Sequence, residues 1–334
     1  MSWRHRRLIR RPIAFATLLL VVTVVLALAT GTESISLERA FGEDGLDRTI
    51  LVDVRLPRVA LAALAGAGLS AVGAAFQALL RNPLAEPYIL GVSGGAAFGA
   101  TTAIALGLGT ATLLGAALLP VASFVGGLVA TSLVYGIARN ARGGTSSTSI
   151  LLAGVMVNSI AASLITFQKA LVPPSRAQQL LRWLVGFVDL PHLPSLLAGT
   201  VYVALGCAVL LHDAARLNVL SLGDETAGTL GVDVRRLERR IFFASSFVVG
   251  AIVSMTGLIG FVGLVVPHAV RRLIGYDQRR VMPVSMLGGA VMVVGCDLVA
   301  RLAFRTLGTE PPVGAVTALI GGPTFLVLLR RNAG

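Results

Sequence analysis

The sequence predicts an all-α polytopic membrane protein with ten transmembrane helices, and three observations carry that reading. Hydrophobic residues make up 55% of the 334 and charged residues only 13%, with a mean hydropathy of +0.83, far from the balance of a soluble domain. The apolar residues gather into ten runs separated by mostly short polar joins. Of the 28 lysines and arginines, 19 fall on the side of the membrane that the N-terminus occupies if each run crosses once, and nine on the other side or at the outer helix ends. That is the positive-inside pattern, and it places both termini in the cytoplasm.

The first run, Ile13 to Gly31, follows Arg4, Arg6, Arg7, Arg10 and Arg11 and carries Ala27-Leu28-Ala29, as a secretory signal would. It is longer than the apolar core of such a signal and polytopic sequence follows, so it reads as a helix. The second, Pro57 to Leu80, contains "ALAGAGLSAVGAAF" (Ala63 to Phe76), whose small residues three and four apart let helices approach closely in lipid. Ile89 to Leu108, Leu113 to Ala138, Ile150 to Ala170 and Leu193 to Leu211 follow at about spanning length. Ile241 to Met255 is the seventh. The eighth, Gly257 to Pro267, is too short for a span of ~20 residues and is broken by Gly and Pro, which predicts a reoriented helix. Val281 to Phe304, with "SMLGGAVMVVG" (Ser285 to Gly295), and Val313 to Leu329 complete the set. The longest join, Asp213 to Arg240, is too short for a soluble domain, so residues 1–334 read as a single membrane domain.

Composition also excludes functions. The net charge of +12 is mostly a topology signal and contact with anionic membrane lipid, not a nucleic-acid footprint. Lys169 is the sole lysine and stands outside any Gly-Lys-Ser/Thr loop, so any ATP that drives this chain is bound by another subunit. The histidines, His5, His192, His212 and His268, are scattered and predict no metal site. Cys207 and Cys296 sit within spans as small apolar side chains. A mid-span acid would suit an ion-coupled secondary transporter, the alternative reading, and Asp297 is the candidate. Arg301 lies four residues on, however, at the spacing of an ion pair along one helix face.

Two polar stretches stand out. In "RNPLAEPYILGVSGGAAFGA" (Arg81 to Ala100), Pro83 and Pro87 forbid a continuing helix and fix a turn. In "LNVLSLGDETAGTLGVDVRR" (Leu217 to Arg236), Asp224 and Glu225 suit a helix start, Ala227 and Leu230 share a face, and Gly231 suits the position just past the end. A helix of about two turns is unstable alone and must dock on the bilayer or on a partner.

The stretches "RLPRVALAALAGAGLSAVGAAFQALLRNPLAEPYILGVSGGAAFG", "LNVLSLGDETAGTLGV", "GLIGFVGLVVPHAVRRLIG" and "EPPVGAVTALIGGPTFLVLLRR" together resemble the permease subunits of binding-protein-dependent ABC importers for iron-siderophores, haem and cobalamin. The resemblance implies the type II importer architecture, a second permease copy (a homodimer), two ABC ATPase subunits that hold ATP and Mg, and an extracytoplasmic substrate-binding protein, at the cell inner membrane. It implies no cofactor and no catalytic residue in this chain. By the same resemblance Asn82, Leu84, Thr148 and Ser149 are cytoplasmic gate residues. Leu217, Asn218, Leu220, Leu222, Gly223, Asp224, Glu225, Ala227, Leu230 and Gly231 couple to the ATPase, and Arg55, Arg58 and Arg301 dock the binding protein.

Overall fold

The computed structural model describes residues 3–33, 35–36, 39–40, 45–88, 90–108, 113–138 and 147–330. Arg139, Arg142 and Arg331, counted above in the charge bias, and Ile89 lie outside them. Among the described residues every regular element is helical.

Helix α1 (Trp3–Ala29) starts ten residues before its apolar run, since arginine is a good helix former and the winding continues past the apolar segment. A helical turn at Leu46–Thr49 and a π-wound stretch at Ile50–Arg55 lead without a break into α2 (Leu56–Leu79). Pro57 accounts for the wider winding, because it offers no N–H to the Asp53 carbonyl and its ring crowds that carbonyl. Then follow α3 (Val92–Ala105), α4 (Leu113–Ala138), α5 (Ser147–Leu171), an amphipathic α6 (Pro174–Leu184) that hydropathy does not announce, and α7 (Leu193–His212). The long join folds as two short helices rather than one, α8 (Ala214–Leu220) and α9 (Asp224–Thr229). Helix α10 (Val234–Thr256) begins seven residues before its apolar run, where the Asp233 carboxylate accepts the Arg236 N–H at 2.9 Å. After it come α11 (Val262–Ile274), α12 (Gln278–Leu307) and α13 (Val313–Arg330).

Seven of these helices are long and apolar enough to cross a membrane, α3 and α13 are shorter and apolar, and with α11 they fall on the remaining three of the ten predicted runs. The eighth run is corrected in detail. Its Gly257 to Phe261 half is a break, with both of those residues at positive φ, and its helix runs beyond Pro267 to Ile274. Glycine is required at 257 twice over: φ is +66°, and a Cβ there would fall on the Trp183 carbonyl.

Helix α2 is the centre of the bundle, with 78% of its apolar stretch buried against 11% for α1 at the periphery. It packs most closely on α12 and also on α11 and α10. Because lipid removes the hydrophobic drive between helices, close contact must hold them together. The small residues supply it: Gly66 of α2 faces the Gly289 carbonyl of α12, and Gly73 faces the Gly263 carbonyl of α11. Gly66→Ala places a methyl group on that carbonyl and is expected to destabilise the detergent-solubilised chain by about 1–3 kcal/mol. Gly295→Ala, on the same α12 but facing open space, should change stability by less than about 0.5 kcal/mol. Thermal unfolding of the two variants side by side checks the contact.

Candidate functional site

The chain leaves α2 through a tight local geometry. Arg81 occupies the left-handed region at φ +49°, its N–H bonds the Ala78 carbonyl at 3.3 Å, and the Asn82 N–H bonds the Gln77 carbonyl at 3.2 Å. This is the capping pattern glycine usually closes. Arginine there costs roughly 1–2 kcal/mol, and its side chain is what the position retains. The Asn82 carboxamide oxygen accepts the Leu84 N–H at 2.9 Å, so Asn82 fixes the turn as well as edging it. Leu84 is 39% exposed at the tip. Glu86, in the same join, is buried and accepts the Phe261 N–H at the start of α11; burial pushes its carboxyl up to about 7. The turn is thus tied at its far end to the break before α11.

The 213–240 join is built as firmly. Leu217 and Leu220 of α8 are fully buried, and Asn218 donates to Asp277 at 2.7 Å while accepting the Gln278 N–H at 2.7 Å. Asp277 also caps α12, and the Arg279 guanidinium beside it holds its carboxyl down at about 2. Helix α9 opens on Asp224 and Glu225, where the helix dipole favours negative charge. It closes with Gly231 at φ +84°, the Gly231 N–H on the Gly228 carbonyl at 3.0 Å and the Val232 N–H on the Ala227 carbonyl at 2.9 Å. Ala227 and Leu230, on one side of this short helix, differ in burial. Ala227 is buried within the chain, whereas Leu230 and Leu222 are exposed at 60% and 64%.

These two stretches, more than a hundred residues apart, meet. The Arg81 guanidinium pairs with the Asp224 carboxylate, and a cavity of about 330 Å³ lies between Arg81, Asn82, Leu217, Asn218, His268 and Arg271. Glu86, Asp277, His268 and Arg271 are residues that sequence reasoning missed, and only the pairing of Asp277 with a following helix leaves a local signal. Thr148, exposed, and Ser149, half-buried, stand in the first turn of α5.

The opposite end of the bundle holds the three other arginines. Arg58 donates through Nε and Nη2 to Asp297 Oδ1 at 2.9 and 2.8 Å and also pairs with Glu310. Arg301 Nε lies 2.9 Å from Asp297 Oδ2 without the alignment of a hydrogen bond, so charge rather than a directed bond joins them. Arg301 donates to the Ala27 carbonyl at 3.0 Å, and Arg55 donates to the carbonyls of Leu28, at 2.7 Å, and Glu33. Arg55 and Arg301 are buried, whereas Arg58 is part-exposed and reaches the rim. Asp297 is fully engaged and does not stand free as an ion-coupling acid.

Spanning helices around small-residue contacts, with a fixed turn and a docked loop gathered into one end plate, define a membrane permease. The model of the FecCD transport family matches residues 19–331. The cobalamin import system permease protein of Halobacterium salinarum is 43% identical over 291 residues, 87% of this chain and 76% of that one. The hemin transport system permease protein of Yersinia pestis is 35% identical over 319 residues, 94% of each chain. A solved metal-chelate type ABC transporter in an inward-facing conformation matches with a TM-score of 0.84 at 32% identity, over 96% of this chain and 98% of the other. The chain belongs to the FecCD transport family.

Proposed function

We propose that the chain is the transmembrane permease subunit of an ATP-binding-cassette importer, and that two copies pass an iron-siderophore, haem or cobalamin inward across the cell inner membrane. The observation that carries this reading is the end plate, where the α2 turn and the α8–α9 join are locked together by Arg81 and Asp224. A push on α9 then reaches the inner mouth through one ion pair. The arginine excess supports cytoplasmic termini and puts this plate in the cytoplasm. Two ATPase subunits, which hold the ATP and Mg, seat on the exposed Leu222 and Leu230. Leu84, with Asn82 at its rim and Thr148 and Ser149 from α5, closes the path against the second copy. At the outer end Arg58 meets the acidic surface of the binding protein, and Arg55 and Arg301 hold the frame behind it. Membership of the family and relatives named for cobalamin and hemin support a bulky metal chelate as cargo.

The test is reconstitution in proteoliposomes. The chain alone should hydrolyse no ATP and carry nothing. With its ATPase as a two-plus-two complex and a loaded binding protein, it should accumulate whichever chelate the binding protein retains. Uptake by the chain alone on an ion gradient would overturn the reading in favour of a secondary transporter.

A further inference from the structure

Helix α10 begins with Arg235, Arg236, Arg239 and Arg240 and continues into Phe243 and Phe247. Steps of three and four residues put Arg236, Arg239, Arg240, Phe243 and Phe247 along one face, about 16 Å from first to last. Helix α7 lies beside that face. Gly206 lets the two close up, since a Cβ there would meet the Val248 side chain. Between them runs a groove of about 610 Å³, floored by Leu205, Val209, Phe243 and Phe247 and headed by the three arginines. Its apolar wall is rigid: Phe243 and Phe247 stand edge-on to Phe124 of α4, with ring centroids 5.7 and 5.1 Å away.

The charges at its head do not balance. Arg236 lies 3.4 Å from Asp233, and Arg240 lies 3.2 Å from Asp213, which also pairs with Arg216. Glu238 is turned away to accept the Tyr135 hydroxyl at 2.9 Å. Arg239 has no carboxylate partner among the described residues. Leu205 and Phe243 are more than half exposed. A guanidinium cluster directly above an open apolar channel is the complement of one kind of molecule, an anionic head on a hydrocarbon chain.

We propose that the α7–α10 groove is a binding site for one anionic phospholipid, its phosphate between Arg236 and Arg239 and one acyl chain along Leu205, Val209, Phe243 and Phe247. The assignment rests on the proposed orientation, which puts these arginines at headgroup level on the cytoplasmic side. Free phosphate would use the arginines alone, whereas a phosphatidylcholine would fill the channel but bring a choline cation that offsets its phosphate. Both halves together select the anionic lipid, with a preference of about fivefold per arginine at low salt.

The experiment puts the Phe243→Trp variant of the full chain, in a background with Trp3→Phe and Trp183→Phe, into nanodiscs and measures quenching of the added tryptophan by brominated-chain phosphatidylglycerol or brominated-chain phosphatidylcholine. The expected result is half-quenching at an at least about fivefold lower mole fraction of phosphatidylglycerol. That preference should collapse when Arg236→Gln and Arg239→Gln are added, and shrink in 0.5 M salt, where the Debye length falls to roughly half its physiological value of about 8 Å. Native mass spectrometry of the chain with Phe243 intact should retain one phosphatidylglycerol. Equal half-quenching by the two lipids, an unchanged preference in the arginine variant, or relief of quenching by glycerol phosphate would each overturn the assignment. No readout uses transport, so failure of the importer reading would show separately, in the proteoliposome assay.

Discussion

Asp297→Asn is expected to destabilise the permease by about 3–5 kcal/mol, the cost of removing one partner from a buried ion cluster. Asp297 is wholly buried between two guanidiniums, with Arg58 at 2.8 Å and Arg301 at 2.9 Å. The amide keeps the shape of the carboxylate and removes its charge. Arg58 still has Glu310 at the rim, but Arg301, 3% exposed, is left with backbone carbonyls alone and with Arg55 nearby. Two like charges then share a desolvated space without a counter-ion. Adding Arg301→Met should return part of the loss, because an apolar side chain of similar length tolerates burial that an unpaired guanidinium does not. Thermal unfolding in detergent measures both steps. Wild-type stability in Asp297→Asn would mean that water already screens the cluster, and would end the case that Arg301 is structural.

That cluster also shows where sequence reading stopped. Arg301 and Asp297 are four apart, so their pairing was legible on one helix, but the burial of Arg55 and Arg301 against the end of α1 depends on how distant helices pack. The same division runs through the fold. Hydropathy located the spanning helices because lipid selects apolar length, and small residues marked the α2–α12 contact because close approach needs them. Hydropathy also misplaced the start of α10: charged residues are good helix formers, so the helix begins at its Asp233 cap and not at the lipid boundary. Gly231 was legible because a helix ending of that type is local. Which of Ala227 and Leu230 faces the chain was not, since both lie on the same side of a short helix and only the seat beneath α9 decides. The Arg81–Asp224 pair joins residues 143 positions apart, beyond the reach of any periodicity.

Leu230→Asp is expected to leave the chain folded in the membrane and to reduce ATPase recruitment and transport together by at least about tenfold. Leu230 is 60% exposed, so the substitution removes little packing inside the permease. Burying a leucine in a partner's groove contributes about 1.5–3 kcal/mol, and each 1.4 kcal/mol is a factor of ten in affinity. A charge in its place also has to be desolvated. Gly231→Val acts on the same seat by another route. Nothing lies within 4 Å of a Cβ at 231, so the cost is not a clash but a β-branched residue at φ +84°. The end of α9 then loosens, and Leu230 loses the fixed direction that docking requires. Ala227→Leu is the contrast: Ala227 is buried, so this change should damage the fold of the join before it affects docking. Co-purification of a tagged ATPase, with size-exclusion chromatography to show that the permease remains folded, separates the three. If Leu230→Asp and Gly231→Val both recruit the ATPase normally while Ala227→Leu alone fails, α9 rests on the bilayer surface and the ATPase seats elsewhere on the plate.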